Sequence, residues 1–527
     1  MMSCRKWLLV TLALAIAFTA GWAGVASTDQ TGPKAKYVFL FIGDGMGIAQ
    51  RNAAELYLAK EKGFSRPEEA KLVMNSLPAQ GMNTTYDLTS VIPDSASTAT
   101  AISCGYKTKS GVIGMDAEAK VTYENIAEMA RKMKWKVGIL STVSLDHATP
   151  AAFYAHVSSR KQMYEISLQL ANSGFDYFAG GQLLEPADIK DPAKPNAIDT
   201  AKKNGYTIAV GRAGFDRLKS GASKVIAMNA SVDRDAAMYY SLDQNKAKDN
   251  VTIAEYLAKA IELLDNPIGF FIMVEGGKID WACHANDAAS SVHDTLALDE
   301  AVAGAIKFYQ QHPSETLIIV TGDHETGGMT IGFAGTQYSS FVDKIRHQKM
   351  SYIEFNKKLE AYKQSHTVAN ARLEDVMPLV TEAFGLFVMP SAEKASLEKA
   401  VLDCKAGDAS DAAKRAGKEA EQRLKYSMAL SDLELQVLQH AFRESMLGQK
   451  ERAKDDYTYL LYGGYEPFSV KLTTILNNKA GIGWTSYSHT GVPVQTSALG
   501  VGAELFNGYY DQTDIYAKMM KITGFKD

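Results

Sequence analysis

Three acidic residues in this sequence each stand beside glycines at the end of an apolar run: Asp44 in FLFIGDGMG, Glu275 in FFIMVEGGKID and Asp323 in LIIVTGDHETGG. In open α/β sheets, ligands bind beyond the carboxyl ends of the strands. Carboxylates gathered at one such edge repel each other and are costly to bury unpaired. A bound divalent cation removes both penalties. The competing reading is three ordinary helix N-caps, since Asp is common there. Histidine placement favours the metal. Asp280 and His284 are four residues apart, so on a helix they share a face. Asp323 and His324 are adjacent where a turn can aim both at one ion, and His489 lies in SHTG among small polar residues. Mixed oxygen and nitrogen donors suit zinc, and an all-oxygen set suits magnesium. His312, His347, His366 and His440 have no such surroundings.

A nucleophile and an anion clamp complete the set. Ser95 lies in PDSASTATAISCG, where Asp94 precedes a run of small residues that pack closely as a helix. At a helix N-terminus, free N–H groups and the dipole favour an anion; an ordinary N-cap serine is the alternative. A serine without a neighbouring base needs activation, and a metal supplies it. Arg160, in AHVSSRK, follows DHATPAAFYAH with His147 and Thr149. Its planar fork matches two phosphate oxygens, although a lone arginine is more often a solvated surface charge.

These residues need elements to hold them. Residues 37–42, 270–274 and 316–320 read as buried strands, and 137–140 and 206–210 look similar. Helical patterns lie between them at 123–134, 253–264 and 295–309. The alternation predicts an α/β fold with a large, mostly parallel sheet covered by helices on both faces. From about 351 to 455 the chain is charged, Ala- and Lys-rich and helical in period, as at 353–362, 373–384 and 433–443. Residues 351–464 are therefore expected to form a mainly helical insertion between two parts of a core, 30–350 and 465–527.

The chain has 527 residues, 46% hydrophobic and 22% charged, with a net charge of -4. That balance argues against a strongly basic nucleic-acid or membrane binder. Arg5 and Lys6, an apolar run and small residues to Ala26 read as a signal peptide, residues 1–26, with a retained anchor as the alternative. Export to the periplasm or secretion follows, and no later segment is apolar enough to span a bilayer. Cys4, Cys104, Cys283 and Cys404 form no ladder of spacings, which argues against a disulfide scaffold.

In motif order and spacing, the chain resembles the alkaline phosphatase family. IGDGMG, PDSAS, HATPAAFYAHVSSR, VEGGKIDWACH, TGDHETGG and SHTG appear in the family's order, over roughly residues 37–332 and 483–527. The resemblance implies two zinc ions and one magnesium. Asp280, His284 and His489 would hold the first zinc; Asp44, Asp323 and His324 the second, with Asp44 bridging to magnesium; Thr149 and Glu275 would complete the magnesium site. Ser95 would be the nucleophile, passing through a phosphoserine, and Arg160 the phosphate clamp. Small phosphate monoesters would be substrates and inorganic phosphate the product, with no specific nucleic acid, and homodimers are frequent in the family. Two positions depart from some bacterial members: His147 replaces Asp, which would admit zinc at the third site, and Trp281 replaces Lys. The rivals are a phosphodiesterase or sulfatase of the same superfamily, and a non-catalytic metal- or phosphate-binding protein.

Overall fold

The computed structural model describes residues 34–526, apart from residues 65, 67, 68, 407 and 408 and the side chains of 449 and 451. The leader read at 1–26, with Cys4, lies outside the described residues. Every described element belongs to the unit that begins at Ala35.

Long apolar runs become central strands because both of their faces are buried. Strands β1 (Tyr37–Gly43), β2 (Ala79–Thr84), β3 (Lys136–Ser141), β4 (Tyr177–Gly180), β5 (Thr207–Val210), β6 (Val225–Met228), β7 (Phe270–Glu275) and β8 (Thr316–Gly322) come first. Four two-residue strands are next: β9 (Glu325–Thr326), β10 (Thr330–Ile331), β11 (Ile482–Gly483) and β12 (His489–Thr490). β13 (Val494–Gly500) and β14 (Gly508–Asp511) complete the set. Ten strands form one sheet in the order β14-β2-β13-β8-β1-β7-β3-β4-β6-β5. Every neighbouring pair is parallel except the two made by β13, which runs antiparallel to β8 and β2.

Helices cover both faces. On β1, Val38, Leu40 and Ile42 enter one apolar cluster with helices Ser95–Cys104, Ile126–Lys132, Met163–Ser173 and Asp514–Thr523. Tyr37, Phe39 and Phe41 point the other way, onto helices Ile48–Glu61, Ile253–Leu264 and Ala288–Gln311. This is the period-two alternation of a strand buried on both sides.

Local differences from the predicted elements have local causes. The helix expected over 123–134 starts at Ile126, where Asn125 and Glu128 close a capping box. The helix expected over 295–309 runs Ala288–Gln311, because the Asp287 side chain caps it by accepting from Ser290 N. The strand expected to be buried at 206–210 is β5, at the sheet edge, with Thr207 and Val210 exposed. β4 and β6, four residues each, are too short for their pattern to stand out.

Between Tyr352 and Ala480 the chain is almost entirely helical. Phe355, Val380, Phe384, Leu438, Phe442 and Leu476 form an apolar cluster of their own, to which helix Pro467–Ala480 contributes. Helices Ser391–Asp403 and Asp411–Tyr426 pack mainly on each other, closely enough that a Cβ at Gly417 would strike Cys404.

Candidate active site and metal centre

Sheet order decides where the acids meet. β1 lies between β7 and β8, with Ile42 opposite Glu275 and Gly43 opposite Gly322. Asp44, Glu275 and Asp323 therefore emerge side by side at the carboxyl edge, all fully buried. Asp280 and His284 lie one turn apart on helix Lys278–His284, which starts just after β7, with His284 Nε2 3.3 Å from Asp280 Oδ2. β12 pairs antiparallel with β9, placing His489 opposite Thr326 and bringing a distant stretch of chain to the same spot. Glu325 fastens this clasp: it accepts from Gln50 Nε2 at 2.7 Å, from Gly328 and Met329 N at 3.1 Å, and from Thr490 Oγ1.

Three groups of donors have their ligand atoms within 4.8 Å of one another: Asp280, His324 and His489; Asp44, Asp323 and His324; and Asp44, His147 and Glu275. His284 joins the first, with its Nε2 3.1 Å from His489 Nε2. Thr149 Oγ1 donates to Asp44 Oδ2 at 3.4 Å, beside the third group.

Hydrogen bonds on the far side of each ring set the tautomers. His284 Nδ1 lies 2.7 Å from Tyr487 O, and His489 Nδ1 2.8 Å from Pro93 O. A carbonyl only accepts, so both Nδ1 atoms carry hydrogen. Thr326 Oγ1 donates to Asp280 Oδ1 at 2.5 Å and therefore accepts from His324 Nδ1, 3.3 Å away. In the neutral rings, all three Nε2 lone pairs thus face the carboxylates. Second partners that fix ligand histidines in this way are typical of metal sites. Asp44 Oδ1, Glu275 Oε1 and His147 Nδ1 are buried with no hydrogen-bond partner. A cation would satisfy the two orphaned carboxylate oxygens, and the donor set around them fits one.

The electrostatics agree. Burial first, and then the charges of Asp323, Asp280 and Glu275, push Asp44 well above the usual carboxylate range. Burial, with Asp280 second, raises Asp323 to about 8, and burial raises Glu275 to about 7. Burial works against a charged His284, yet Asp280 overrides it and raises the ring to about 9. Burial, reinforced by Arg160, holds His147 neutral, down to about 3.

Ser95 opens helix Ser95–Cys104, where the Asp94 side chain caps by accepting from Ser97 N at 3.0 Å. Ser95 Oγ lies 3.2 Å from His324 Nε2, inside the ring of ligands. Arg160 donates from Nη1 to Asp94 Oδ2 at 3.0 Å and from Nη2 to His147 Nε2 at 3.1 Å. Trp281 lies beside His147, ring centroids 6.0 Å apart, and its face carries Lys278 Nζ at 5.0 Å and the Arg234 guanidinium at 5.7 Å. All of the singled-out residues therefore converge on one edge. Reading the sequence did not pick out Thr326, Glu325, Ser141 (donating to Glu275 Oε2 at 2.5 Å), Thr98 (donating to Asp323 Oδ2 at 3.2 Å) or the Asp94–Arg160 pair. Thr326 alone had a signal: in an extended stretch, residues two apart share a side, and it follows His324 by two.

A family model for alkaline phosphatase matches residues 35–525. The chain belongs to the alkaline phosphatase family. Among curated relatives, alkaline phosphatase 3 of Bacillus subtilis is 28% identical over 92% of this chain and 88% of its own length. Alkaline phosphatase 4 of the same organism is 27% identical over 98% and 96%. The solved cold-active alkaline phosphatase of the psychrophile Shewanella sp. superposes with a TM-score of 0.68 at 26% identity, covering 92% of this chain and 99% of that one. The Thermus thermophilus alkaline phosphatase, at 22% identity, shares the fold with a TM-score of 0.71 over 96% of each chain. Alkaline phosphatase membership and fold together support a phosphatase activity. Among the described residues, no helix is long and apolar enough to cross a membrane.

Proposed function

We propose that this protein hydrolyses phosphate monoesters through a phosphoserine at Ser95, with two zinc ions and a third ion that is magnesium or zinc. The observation that carries the reading is Ser95 Oγ 3.2 Å from His324 Nε2, a member of two of the three clustered donor groups. Asp280, His284 and His489 would hold one zinc, and Asp44, Asp323 and His324 the other. Asp44, Glu275 and Thr149 would hold the third ion, with His147 beside them. A variant of the TAB5 alkaline phosphatase is solved with Mg bound in its M3 site; His147 would make room for zinc here if its Nε2 exchanged the hydrogen bond from Arg160 for the metal. Bound ions would supply charge neutralisation, lower the proton affinity of Ser95 Oγ and stabilise the leaving oxygen.

The chain's own groups do the rest. Asp94 holds the Arg160 fork facing two phosphate oxygens, and the partial burial of that pair strengthens their hydrogen bonds. Ser95 Oγ, at its helix N-terminus, attacks phosphorus in line as the ester oxygen departs. Water from the vacated side then breaks the Ser95–phosphorus bond and releases inorganic phosphate. Export through the leader at 1–26 accords with a metal-dependent enzyme acting on small esters outside the cytoplasm.

A chromogenic monoester assay, with and without chelator, tests the activity. Acid-trapped labelled phosphate on the wild type and none on Ser95→Ala is the expected result; equal labelling of both would remove Ser95 from the role. Arg160→Ala should weaken a monoester about a hundredfold, the scale of one lost oxyanion donor, and a diester much less. Equal losses would remove Arg160 from the clamp role, and a wild type faster on the diester than on the monoester would point to a diesterase.

A further inference from the structure

Arg160 stands at the end of a strap, residues 155–160, between helices Ala148–Ala151 and Met163–Ser173. The strap is held by segment 111–114. Val157 and Ile113 form an antiparallel bridge, Ile113 N to Val157 O at 3.1 Å and Val157 N to Ile113 O at 3.0 Å. Arg160 N donates to Gly111 O at 2.7 Å, while Gly111 N serves the Asp94 carboxylate. Burial works against that carboxylate, yet Arg160 and the N–H groups of Gly111 and Ser97 hold it below the usual range. Gly114 N donates to Thr100 Oγ1 at 3.0 Å, and Thr100 is a fully buried residue of the helix that Ser95 opens. Segment 111–114 therefore touches the clamp, its carboxylate partner and the helix of the nucleophile at once.

One side chain locks the strap onto this segment. His156 Nδ1 lies 2.9 Å from Gly114 O, and its Nε2 lies 2.9 Å from Glu128 Oε1. A carbonyl only accepts, so Nδ1 carries hydrogen. An ionised Glu128 only accepts as well, so Nε2 carries a second hydrogen and the ring is an imidazolium. Burial opposes that charge, but the hydrogen bond and the charge of Glu128 raise the ring above its ordinary value. The fit is close: a Cβ at Gly114, where φ is +60°, would lie 2.6 Å from both Ala155 O and His156 Nδ1. Gln169 fixes the same residue through its backbone, accepting from His156 N at 2.9 Å and donating to His156 O at 3.2 Å. Glu128 is anchored in turn, since its Oε2 accepts from Asn125 N at 3.0 Å in the capping box of helix Ile126–Lys132. Charge-assisted bonds are shorter and stronger than neutral ones, which suits a contact that must hold a remote group in place.

We propose that His156, clasped between Gly114 O and Glu128, is the positioning residue that sets the Arg160 fork against Asp94 and Ser95. It touches no phosphate and acts through the strap, so it governs how strongly the enzyme favours monoesters over diesters. The proposal rests on the clamp role given to Arg160. Its test compares kcat/KM for 4-nitrophenyl phosphate and bis(4-nitrophenyl) phosphate, with the inhibition constant of inorganic phosphate, in the metal-replete full-length enzyme. His156→Leu and Glu128→Leu should each lower the monoester value about tenfold and the diester value no more than about twofold, within what a misplacement of about 1 Å costs. The inhibition constant of phosphate should rise in step. Glu128→Gln should restore the monoester value, because its amide oxygen still accepts from Asn125 N and its NH2 donates to the lone pair of a neutral His156. In an Arg160→Ala background, His156→Leu should add no further loss, as expected of residues that act as one unit. An unchanged ratio in both Leu variants, equal losses on both esters, or an undiminished loss without Arg160 overturns the proposal and leaves the monoesterase activity standing. Glu128→Leu, at a partly exposed position, decides the outcome where His156→Leu fails to fold. A wild type that hydrolyses neither ester overturns the monoesterase reading and this proposal with it.

Discussion

Two buried clusters of charge flank helix Lys278–His284, and they are balanced differently. On one side, Lys278 Nζ donates to Asp233 Oδ2 at 2.8 Å, both side chains essentially unexposed, with the ammonium 3.7 Å from the centre of the Tyr240 ring. Lys278 and its neighbours hold Asp233 below the usual range although burial opposes it. On the other side, Asp44, Glu275 and Asp323 are as deeply buried, and burial and its acidic neighbours raise Asp44 with Arg160 the cation that opposes them. The same fold neutralises one set of acids internally and leaves the other in want of a cation. The first cluster is a structural ion pair; the second has the electrostatics of a site that receives ions.

The largest test of that contrast is chelation. Stripping divalent ions should abolish phosphatase activity and lower Tm, with recovery on adding zinc and magnesium; a chelated protein with unchanged activity would end the distinction. Next comes Lys278→Met, which leaves the buried Asp233 only the half-exposed Lys357, 3.6 Å away, and should cost about 3 kcal/mol of stability, measured by denaturant unfolding of the chelated protein. Adding Asp233→Leu should restore most of it, since removing both charges removes the desolvation cost.

The pH dependence of the stripped protein sharpens the comparison further. Asp323 and Glu275 have folded-state values raised to about 8 and about 7, above those of the unfolded chain. The folded state then holds more protons, so stability falls as pH rises from about 4 through about 8. Metal loading should flatten or reverse that trend, with protons released on binding at pH 7 and seen by a pH indicator. A smaller effect is expected from Thr326→Val, which removes the hydroxyl between His324 and Asp280: metal affinity should drop about 10–100-fold, read by competition with a zinc dye. Smallest is Lys394→Ala in the helical region, where the ion pair to Asp432 is exposed to solvent. No measurable shift of Tm is expected there.

Much of the site was legible in the residues themselves. Asp44, Glu275 and Asp323 announced a shared edge because each ends an apolar strand beside glycine, and helix Ile253–Leu264 fills the span expected at 253–264, its start fixed by a Thr252–Glu255 capping box. Thr326, Glu325 and Ser141 were not legible as site residues. Their roles depend on which partner stands across a tertiary gap, and a Thr or Ser near a strand end has many ordinary uses. The helix Pro467–Ala480 shows the same limit: most of its residues are buried, and only packing assigns Phe468, Leu472, Ile475 and Leu476 to the helical cluster.

By itself, the order of residues determined the chemistry on offer: which carboxylates and imidazoles close the strands, where a serine begins a helix, and which period each segment adopts. Side-chain type and spacing set these, and both act within a few residues. Tertiary structure alone decided that β1 lies between β7 and β8, that β12 clasps β9 so His489 meets His284, and that Asp233 receives a lysine while Asp44 does not. Those outcomes come from long-range strand pairing and burial, which bring together groups hundreds of residues apart and set the dielectric in which their charges are felt.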